Sequence, residues 1–333
     1  MNLEASKLID RYDRHLCYLR VSITDRCNLR CQYCCPPGRD FEWLTHEEIL
    51  RYEEILRVVR VGVRLGISKV RVTGGEPLVR KGVYAFLNEL NRIDGITDIS
   101  LTTNGVLLRN NIGRIKAAGI NRLNISLDTL DPEKFNRITG RDRFRDVWRS
   151  ILDAHEAGLH PIKINTVAMK GINDDELTDI AKLTFRYPFH MRFIEYMPIG
   201  DTPLEKGKLL LAPEIMGRLQ SLGKLLPVKS IQNEGPAERY RFKDAVGEIG
   251  FIRPMSHHFC SRCNRLRLTS SGQLRPCLLS DRQEDLKSIL RSGCSDEDIA
   301  KTFVRVIRYK PRGHHLDEPV HDSVKGRMSS IGG

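Results

Sequence analysis

Short apolar runs alternate with longer amphipathic stretches through the first 200 residues of the chain. Six of these runs have the length and the β-branched content of strands, at 19–25, 69–73, 98–103, 122–128, 162–169 and 191–197. Apolar residues at helical spacing predict helices near 82–92, 109–118, 143–157 and 174–186. Strands that alternate with helices in this way predict an α/β fold with a parallel sheet.

Two further helices are predicted from capping signals. Thr45 and Glu48 form a capping-box pattern, which predicts a helix that ends near Gly66. Asp131 and Pro132 are typical of an N-cap and a first helical turn, so a short helix is expected there.

A chemically suggestive segment follows each predicted strand. These segments are a group of cysteines and then GGEP, TTNG, SLD, NTVAM and EYMPIG. Periodicity alone does not separate an open doubly wound sheet from an incomplete barrel, because both bind ligands at the C-terminal ends of strands. A barrel brings all six strand ends around one mouth, and we therefore expect a barrel.

The pattern changes after residue 200. A helix near 213–222, strands at 239–243 and 246–252, a hairpin over 266–278 that turns at Ser271-Gly272, and helices near 281–291 and 296–308 are predicted. We expect two domains, a partial barrel over residues 1–200 and a C-terminal α+β domain over residues 201–333.

The composition indicates a cytoplasmic protein with an anionic partner. The 333 residues carry a net charge of +12, and no apolar run approaches the ~18 residues of a membrane span. The N-terminus has no signal-peptide pattern. Arginines near the cysteine motifs favour a phosphate pocket, with neither a nucleic-acid nor a membrane partner. A zinc-bearing nucleic-acid-binding protein is the alternative from a different class.

Three cysteines, Cys27, Cys31 and Cys34, form the first trio. Grouped thiols in a cytosolic chain indicate a metal site more often than disulfides. An iron–sulfur cube takes four ligands, so three cysteines would leave one iron open to a small molecule. Cys35 is a rival ligand, but the two-residue gap after Cys31 favours Cys34. A zinc knuckle or unrelated cysteines are the other interpretations.

Cys260, Cys263 and Cys277 form the second trio. Their spacing predicts either a structural zinc, completed by His257, His258 or Cys294, or a second open cluster. Cys17 remains outside both trios. Three tail histidines (His314, His315 and His321) are expected to be exposed.

The first trio followed by GGEP resembles the radical S-adenosylmethionine (SAM) superfamily. The resemblance implies an incomplete (βα)6 barrel and a [4Fe–4S] cluster whose open iron chelates SAM, which then yields a 5′-deoxyadenosyl radical. It implies that Gly75 and Glu76 bind the SAM amino group. Tyr33, Ser126 and Met197 are the other candidates for contact with SAM.

Nearly the whole chain resembles the GTP 3′,8-cyclase family of molybdenum-cofactor biosynthesis. The more specific features are the NRLR segment after Cys263 and the terminal Gly332-Gly333. The family usually has methionine where this chain has Cys35. The resemblance implies that the second trio holds a second [4Fe–4S] cluster whose open iron binds the guanine of GTP. The implied GTP-binding residues are Arg20, Arg71, Thr102, Lys163, Arg265, Leu266 and Arg267.

The resemblance also implies the reaction. The radical would take the C3′ hydrogen of GTP, and the product would be 3′,8-cyclo-7,8-dihydro-GTP. Arg20, Arg265, Arg267, Gly332 and Gly333 would serve catalysis, with the glycine tail threaded into the barrel.

A homodimer, an unidentified reductant and transfer of the product to a cyclic pyranopterin monophosphate synthase are implied as well. A peptide-modifying radical SAM enzyme with an auxiliary cluster is the alternative, although only Cys294 is spare for further ligation.

Overall fold

Six parallel strands form the centre of the fold. The structure, a computed structural model, describes residues 7–35, 42–199, 206–229, 235–314, 324 and 327–332. The strands pair in sequential order. This order confirms the predicted parallel sheet of the incomplete (βα)6 type. The strands are β1 (Tyr18–Ser22), β2 (Lys69–Thr73), β3 (Asp98–Thr103), β4 (Arg122–Ser126), β5 (Ile162–Ala168) and β6 (His190–Glu195).

Six helices lie between these strands. They are α1 (Tyr52–Arg64), α2 (Val83–Asn91), α3 (Ile112–Ala117), α4 (Pro132–Thr139), α5 (Phe144–Glu156) and α6 (Leu177–Arg186). The predicted cap of α4 is confirmed, because Asp131 accepts hydrogen bonds from the backbone N–H groups of Glu133 and Lys134.

The predicted start of α1 at Thr45 is wrong. Glu48 does accept a hydrogen bond from the Thr45 N–H, at 2.8 Å, but the helix begins seven residues later at Tyr52. The intervening chain makes a tertiary contact instead, since Leu50 N–H donates to Ser270 O at 2.9 Å. Tertiary pairing therefore overrides the local capping signal.

The C-terminal part of the chain extends the sheet at both edges. After α7 (Ala212–Leu219) come β7 (Leu225–Pro227), β8 (Glu238–Phe242) and β9 (Glu248–Ile252), and β9 pairs in parallel with β6. β10 (Arg265–Leu268) pairs in parallel with β1 and forms the predicted hairpin with β11 (Gln273–Arg275).

In place of the single helix expected near 281–291, a short strand β12 (Glu284–Asp285) precedes α8 (Leu286–Arg291). The helices α9 (Asp296–Arg308) and α10 (Met328–Ile331) complete the described part of the chain, in which twelve strands form one sheet. The domain boundary at residue 200 stays a prediction, because this sheet runs through both halves.

Alternation along the strands separates two faces of the sheet. On β1, Leu19 and Val21 are fully buried in the main hydrophobic core, which includes Val58 and Val59 of α1. Arg20 belongs to the opposite face, as the two-residue period of a strand requires. The sheet thus directs its charged side chains away from the helices.

No helix in the described ranges is long and apolar enough to span a membrane.

Glu195, at the end of β6, joins the parallel sheet to the C-terminal segment. Its carboxylate accepts hydrogen bonds from Ala212 N–H at 2.8 Å, from Met255 N–H at 2.8 Å and from Ser256 N–H at 2.9 Å. The Ser256 hydroxyl donates a fourth bond. One buried acceptor therefore satisfies the first turn of α7 and the loop that leads to the second trio.

We predict that Glu195→Gln destabilises the fold. An amide offers one acceptor oxygen and turns its NH₂ group towards donors, so buried N–H groups lose their partner. The free energy of unfolding should fall by about 1–3 kcal/mol in urea denaturation. The exposed residue Glu156 provides a matched control, and Glu156→Gln should change little. Equal stabilities for the two variants would contradict the role of Glu195.

Candidate active site

A cavity of about 330 Å³ brings the two trios together. All six thiols line it, with side chains from each of the six parallel strands. Nine more of the predicted site residues line it: Arg20, Tyr33, Arg71, Gly75, Thr102, Ser126, Met197, Arg265 and Arg267. Glu76, Lys163 and Leu266 do not line it. Leu266 is buried in the core between Arg265 and Arg267, so only its backbone is available for a contact with substrate.

The two glycines of GGEP allow two backbone segments to meet. Gly75 N–H donates to Thr24 O at 2.7 Å, and Glu76 N–H donates to Arg26 O at 2.8 Å. A Cβ on Gly75 would lie 2.4 Å from Arg26 O and 2.6 Å from Asp25 O. No side chain fits at that distance. The motif therefore fixes the segment directly before Cys27.

Glu76 fixes the loop around the first trio through buried hydrogen bonds. It is fully buried, and its oxygens accept bonds from Leu78 N–H, the Thr103 hydroxyl and Asn104 N–H at 2.7–3.0 Å. Burial raises the pKa of Glu76 to about 7. The Asn104 amide in turn donates to Asn28 Oδ1 at 2.7 Å and to Cys27 Sγ at 3.7 Å. The predicted contact between Glu76 and the SAM amino group remains a prediction.

The first trio has the surroundings that an iron–sulfur cluster needs. Leu29 N–H donates to Cys27 Sγ at 3.4 Å, and such N–H···S bonds are a usual feature of cluster ligands. Burial raises the pKa of Cys27 to about 11, and a bound cation would stabilise its thiolate form. Cys35 lines the cavity directly beside Cys34, so both adjacent thiols reach it.

Tyr33 is anchored rather than free to turn. Its hydroxyl donates to Asp128 Oδ2 at 2.7 Å, and Val167 N–H donates to the other oxygen of Asp128 at 2.9 Å. Burial raises the pKa of Asp128 to about 6. The loop of the first trio is thereby tied to the ends of β4 and β5.

Three arginines lie in register across three adjacent strands. Arg20 on β1 pairs with Arg267 on β10 and with Arg71 on β2. We call these side chains the arginine row. Burial lowers the pKa of Arg20 well below its usual value, and the neighbouring charges of Arg267 and Arg71 lower it further. Such a row favours an anion, because like charges out of water repel each other.

Arg192 adds a fourth buried cation that no motif singles out. It lies on β6 and lines the cavity, and burial lowers its pKa to about 9. The signal that could have identified it is alternation, since Met191 and Phe193 on either side are buried in the core. Among the described cavity residues, Thr102 Oγ1 and Asn165 Oδ1 are buried without a hydrogen-bond partner, which is typical of groups that await a ligand.

The second trio lies where β10 and β11 meet the cavity. Although burial alone would raise the pKa of Cys263, the charges of Lys310 and Arg265 lower it to about 7. In the described ranges, no three His, Cys, Asp or Glu side chains converge tightly enough to hold a single metal ion. The side chain of Cys294 packs against the main core instead of the cavity.

The expectation that His314 is exposed is wrong. It is 7% exposed, its Nε2 contacts Pro254 O, and its ring packs against His258 with 5.1 Å between the ring centroids. The Pro311–His314 segment folds back over the second trio, which the tail composition did not indicate. His315 and His321 lie outside the described residues.

The C-terminal tail reaches the cavity. Arg267 donates to Gly332 O at 2.7 Å, and Met328 and Ser329 line the cavity. Gly332 has φ of 78°, and a Cβ there would lie 2.9 Å from Ser22 Cβ and from Thr73 Oγ1. Only glycine fits this position without displacement of β1 or β2. Gly333 lies outside the described residues.

Comparisons with known families match both halves of the chain. Residues 21–184 match the model of the radical SAM superfamily, and residues 189–316 match the model described as Molybdenum Cofactor Synthesis C. The GTP 3′,8-cyclase of Thermodesulfovibrio yellowstonii is 49% identical over 97% of this chain and 99% of its own length. That of Desulforamulus reducens is 48% identical over 98% of this chain and 100% of its own length.

Solved structures share the fold at much lower identity. SuiB of Streptococcus suis bound to S-adenosylmethionine aligns with a TM-score of 0.63 at 15% identity, over 95% of this chain and 78% of that one. SuiB bound to its precursor peptide SuiA gives 0.62 at 14% identity, over 96% and 77%. These likenesses confirm the α/β fold.

We predict that Gly75→Ala disrupts the first trio. The added Cβ must push the segment at Asp25 and Arg26 away, and with it Cys27. After anaerobic reconstitution, the variant should retain markedly less iron than the parent chain. The control is Gly113→Ala, because Gly113 lies in α3 with nothing within 4 Å of an added Cβ. Parental iron content in both variants would argue against the close contact.

Proposed function

The chain belongs to the GTP 3′,8-cyclase family, and we propose that it converts GTP to 3′,8-cyclo-7,8-dihydro-GTP in the first step of molybdenum cofactor biosynthesis. The observation that carries this proposal is the meeting of both trios and the arginine row in one cavity. A substrate there would face two cluster sites and a set of buried cations. The likeness of the curated relatives over nearly their full length supports the same activity.

We assign the first trio to a [4Fe–4S] cluster that binds SAM. When reduced, such a cluster would supply the one electron that cleaves the sulfonium C5′–S bond of SAM to methionine and a 5′-deoxyadenosyl radical, which would take the C3′ hydrogen of GTP and become 5′-deoxyadenosine. Asn104 and Leu29 donate to Cys27 Sγ, and Gly75 allows GGEP to pack closely against the segment before Cys27. Ser126, Met197 and Tyr33 line the same cavity and are the proposed contacts for the rest of SAM.

We assign the second trio to a second [4Fe–4S] cluster, beside the site of GTP. Six cationic side chains are proposed to bind the triphosphate and orient the nucleoside, because arginine forks match phosphate oxygens bidentately. Binding of a polyanion also relieves the repulsion within the arginine row. Thr102 Oγ1, which is buried and unpartnered within the described residues, is a further donor. Five of them line the cavity, namely Arg20, Arg71, Arg192, Arg265 and Arg267. The sixth, Lys163, does not line it and is included on the family resemblance alone.

The tail is proposed to close the site. Arg267 holds Gly332 O, and Ile331 packs with Met197 and Leu278. Closure of the cavity would exclude water from a carbon radical and hold C3′ in position. Gly332 and Gly333 would be needed for catalysis rather than for binding.

Several parts of the proposal rest on the family resemblance alone. These are the homodimer, the external reductant and transfer of the product to a cyclic pyranopterin monophosphate synthase. The cytoplasmic location without a nucleic-acid partner rests instead on composition, and the domain boundary near residue 200 rests on the change of sequence pattern there.

The activity is tested by anaerobic incubation of the reconstituted protein with SAM, a reductant and GTP. We expect 5′-deoxyadenosine to form only when GTP is present. Iron should approach about eight atoms per chain, as two cubes require. About four atoms together with zinc would indicate one cube and a structural zinc site. No response of 5′-deoxyadenosine to GTP would refute the cyclase assignment.

We predict that Gly332→Ala separates turnover from binding. The methyl group would collide with Ser22 and Thr73, so the tail should leave its position beside Arg267. Product formation should fall about 100-fold, as misplacement near reacting atoms typically causes. GTP affinity should stay near that of the parent, since the phosphate-binding arginines remain. Gly217→Ala in α7, with open space around its Cβ, should behave as the parent does. Parental turnover in Gly332→Ala would exclude a closing role.

A further inference from the structure

Lys310 is a buried lysine that lies directly against the second trio. It follows α9 and is 1% exposed. Its Nζ donates to Arg265 O at 2.7 Å, to Pro276 O at 2.7 Å and to Cys263 Sγ at 3.6 Å. An ammonium group has three N–H donors, and each of them has found an acceptor. The geometry is that of a fully satisfied, fixed cation.

The three acceptors of Lys310 belong to both arms of the β10–β11 hairpin. Arg265 begins β10, two residues after Cys263, and Pro276 directly precedes Cys277. The ammonium therefore bridges the open end of the hairpin, where two of the three thiols emerge. This bridge fixes the separation between Cys263 and Cys277.

Arg14 supports the same segment from the other side. Its guanidinium donates to Cys260 O at 2.6 Å and to Pro311 O at 2.8 Å, and Asp10 accepts from its Nε at 2.7 Å. Each cysteine of the second trio is thus held, directly or through its neighbour, by one of two buried cations. Lys310 differs from Arg14 in one respect. Among the described residues no carboxylate pairs with Lys310, whereas Asp10 neutralises Arg14.

We propose that Lys310 is the charge-compensating and positioning residue of the second cluster, an inference that rests on the proposed assignment of that cluster to the second trio. A buried ammonium without a carboxylate needs an anion beside it. The thiolates of a bound cluster would supply that negative charge. The N–H···S contact places the ammonium group of Lys310 directly beside the sulfur of Cys263. Nothing in the sequence motifs marks Lys310, which lies 33 positions beyond Cys277 in the tail.

The role has a measurable electrostatic consequence. A cluster gains negative charge when it is reduced, and a fixed cation beside a ligand sulfur favours the reduced form. Lys310 therefore raises the reduction potential of the second cluster above the value it would have with a neutral residue there. Hydrogen-bonded partners of metal ligands also affect retention, and their loss typically weakens metal affinity by about 10–100-fold.

The test uses a chain that can load only the second cluster. Cys27, Cys31, Cys34 and Cys35 are all replaced by alanine, and the protein is reconstituted anaerobically with iron and sulfide. In this background, Lys310→Met removes the charge and the donors, while Lys310→Gln removes the charge and keeps an amide donor. The midpoint potential is measured by a redox titration followed by EPR, and iron retention by competition with a chelator.

We expect the potential of both Lys310 variants to shift to more negative values, and iron retention to fall on the order of tenfold in Lys310→Met. The matched control is Lys301→Met on α9, because Lys301 is exposed and pairs with Glu297 and Asp298 on its own helix. Lys301→Met should keep the potential and the iron retention of the background protein. If Lys310→Met does not fold, as judged by circular dichroism, the potential and the iron retention of Lys310→Gln decide the outcome.

Two failures are distinguishable. If the background protein takes up about four iron atoms per chain and the Lys310→Gln variant has the same potential and retention, the inference about Lys310 is overturned while the cluster assignment stands. If the background protein takes up zinc or no iron, the second cluster is itself refuted, and the role of Lys310 with it.

Discussion

Buried positive charge around one cavity is the constraint on which the rest of the structure depends. Arg192 and Arg267 are buried and Arg20 and Arg71 are half-buried, and desolvation lowers the pKa of each of them. Cations held together in this way oppose folding unless other interactions offset them. A continuous core beneath the sheet provides that offset, with Leu19 and Val21 fully buried on the opposite face of β1. The stability of the core thus maintains a cavity surface that is complementary to a polyanion.

Strand register determines how the buried positive charges are arranged. The arginine row exists because β1 pairs with β2 on one side and with β10 on the other. The sequence predicts β1 and β2 well, since each is a short apolar run that precedes a motif. Pairing between β1 and β10 joins residues at opposite ends of the chain, and no local pattern encodes it. Candidate residues on these strands were therefore identifiable, while their alignment was not.

The contacts and the helix start that the sequence did not predict have a shared physical cause. Glu195, Arg192 and Lys310 act through long-range contacts. Arg192 and Lys310 belong to no motif or unusual spacing, and Glu195 opens the EYMPIG segment, whose pattern did not indicate these contacts. Glu195 accepts from residues up to 61 positions away, and Lys310 bridges the two arms of a hairpin far before it. The false start of α1 at Thr45 has the same origin, since Leu50 bonds to Ser270 rather than to its own helix. The motifs Cys27–Cys34 and GGEP were predictable because their residue types and spacing are local, although the contact that Gly75 makes with Arg26, 49 positions earlier, is not.

The fold does not by itself select the substrate. SuiB, at 15% identity, has the same α/β architecture, and a shared architecture does not identify a substrate. Selection must then depend on the side chains that the C-terminal segment adds at the edges of the six central strands. β10 contributes Arg265 and Arg267, and Arg267 also holds the tail through Gly332 O. Because one guanidinium belongs to the arginine row and also holds the tail, an anion bound at the row acts on the group that keeps the cavity closed. In a cyclase, the site of the triphosphate and the segment proposed to close the cavity would therefore share one side chain.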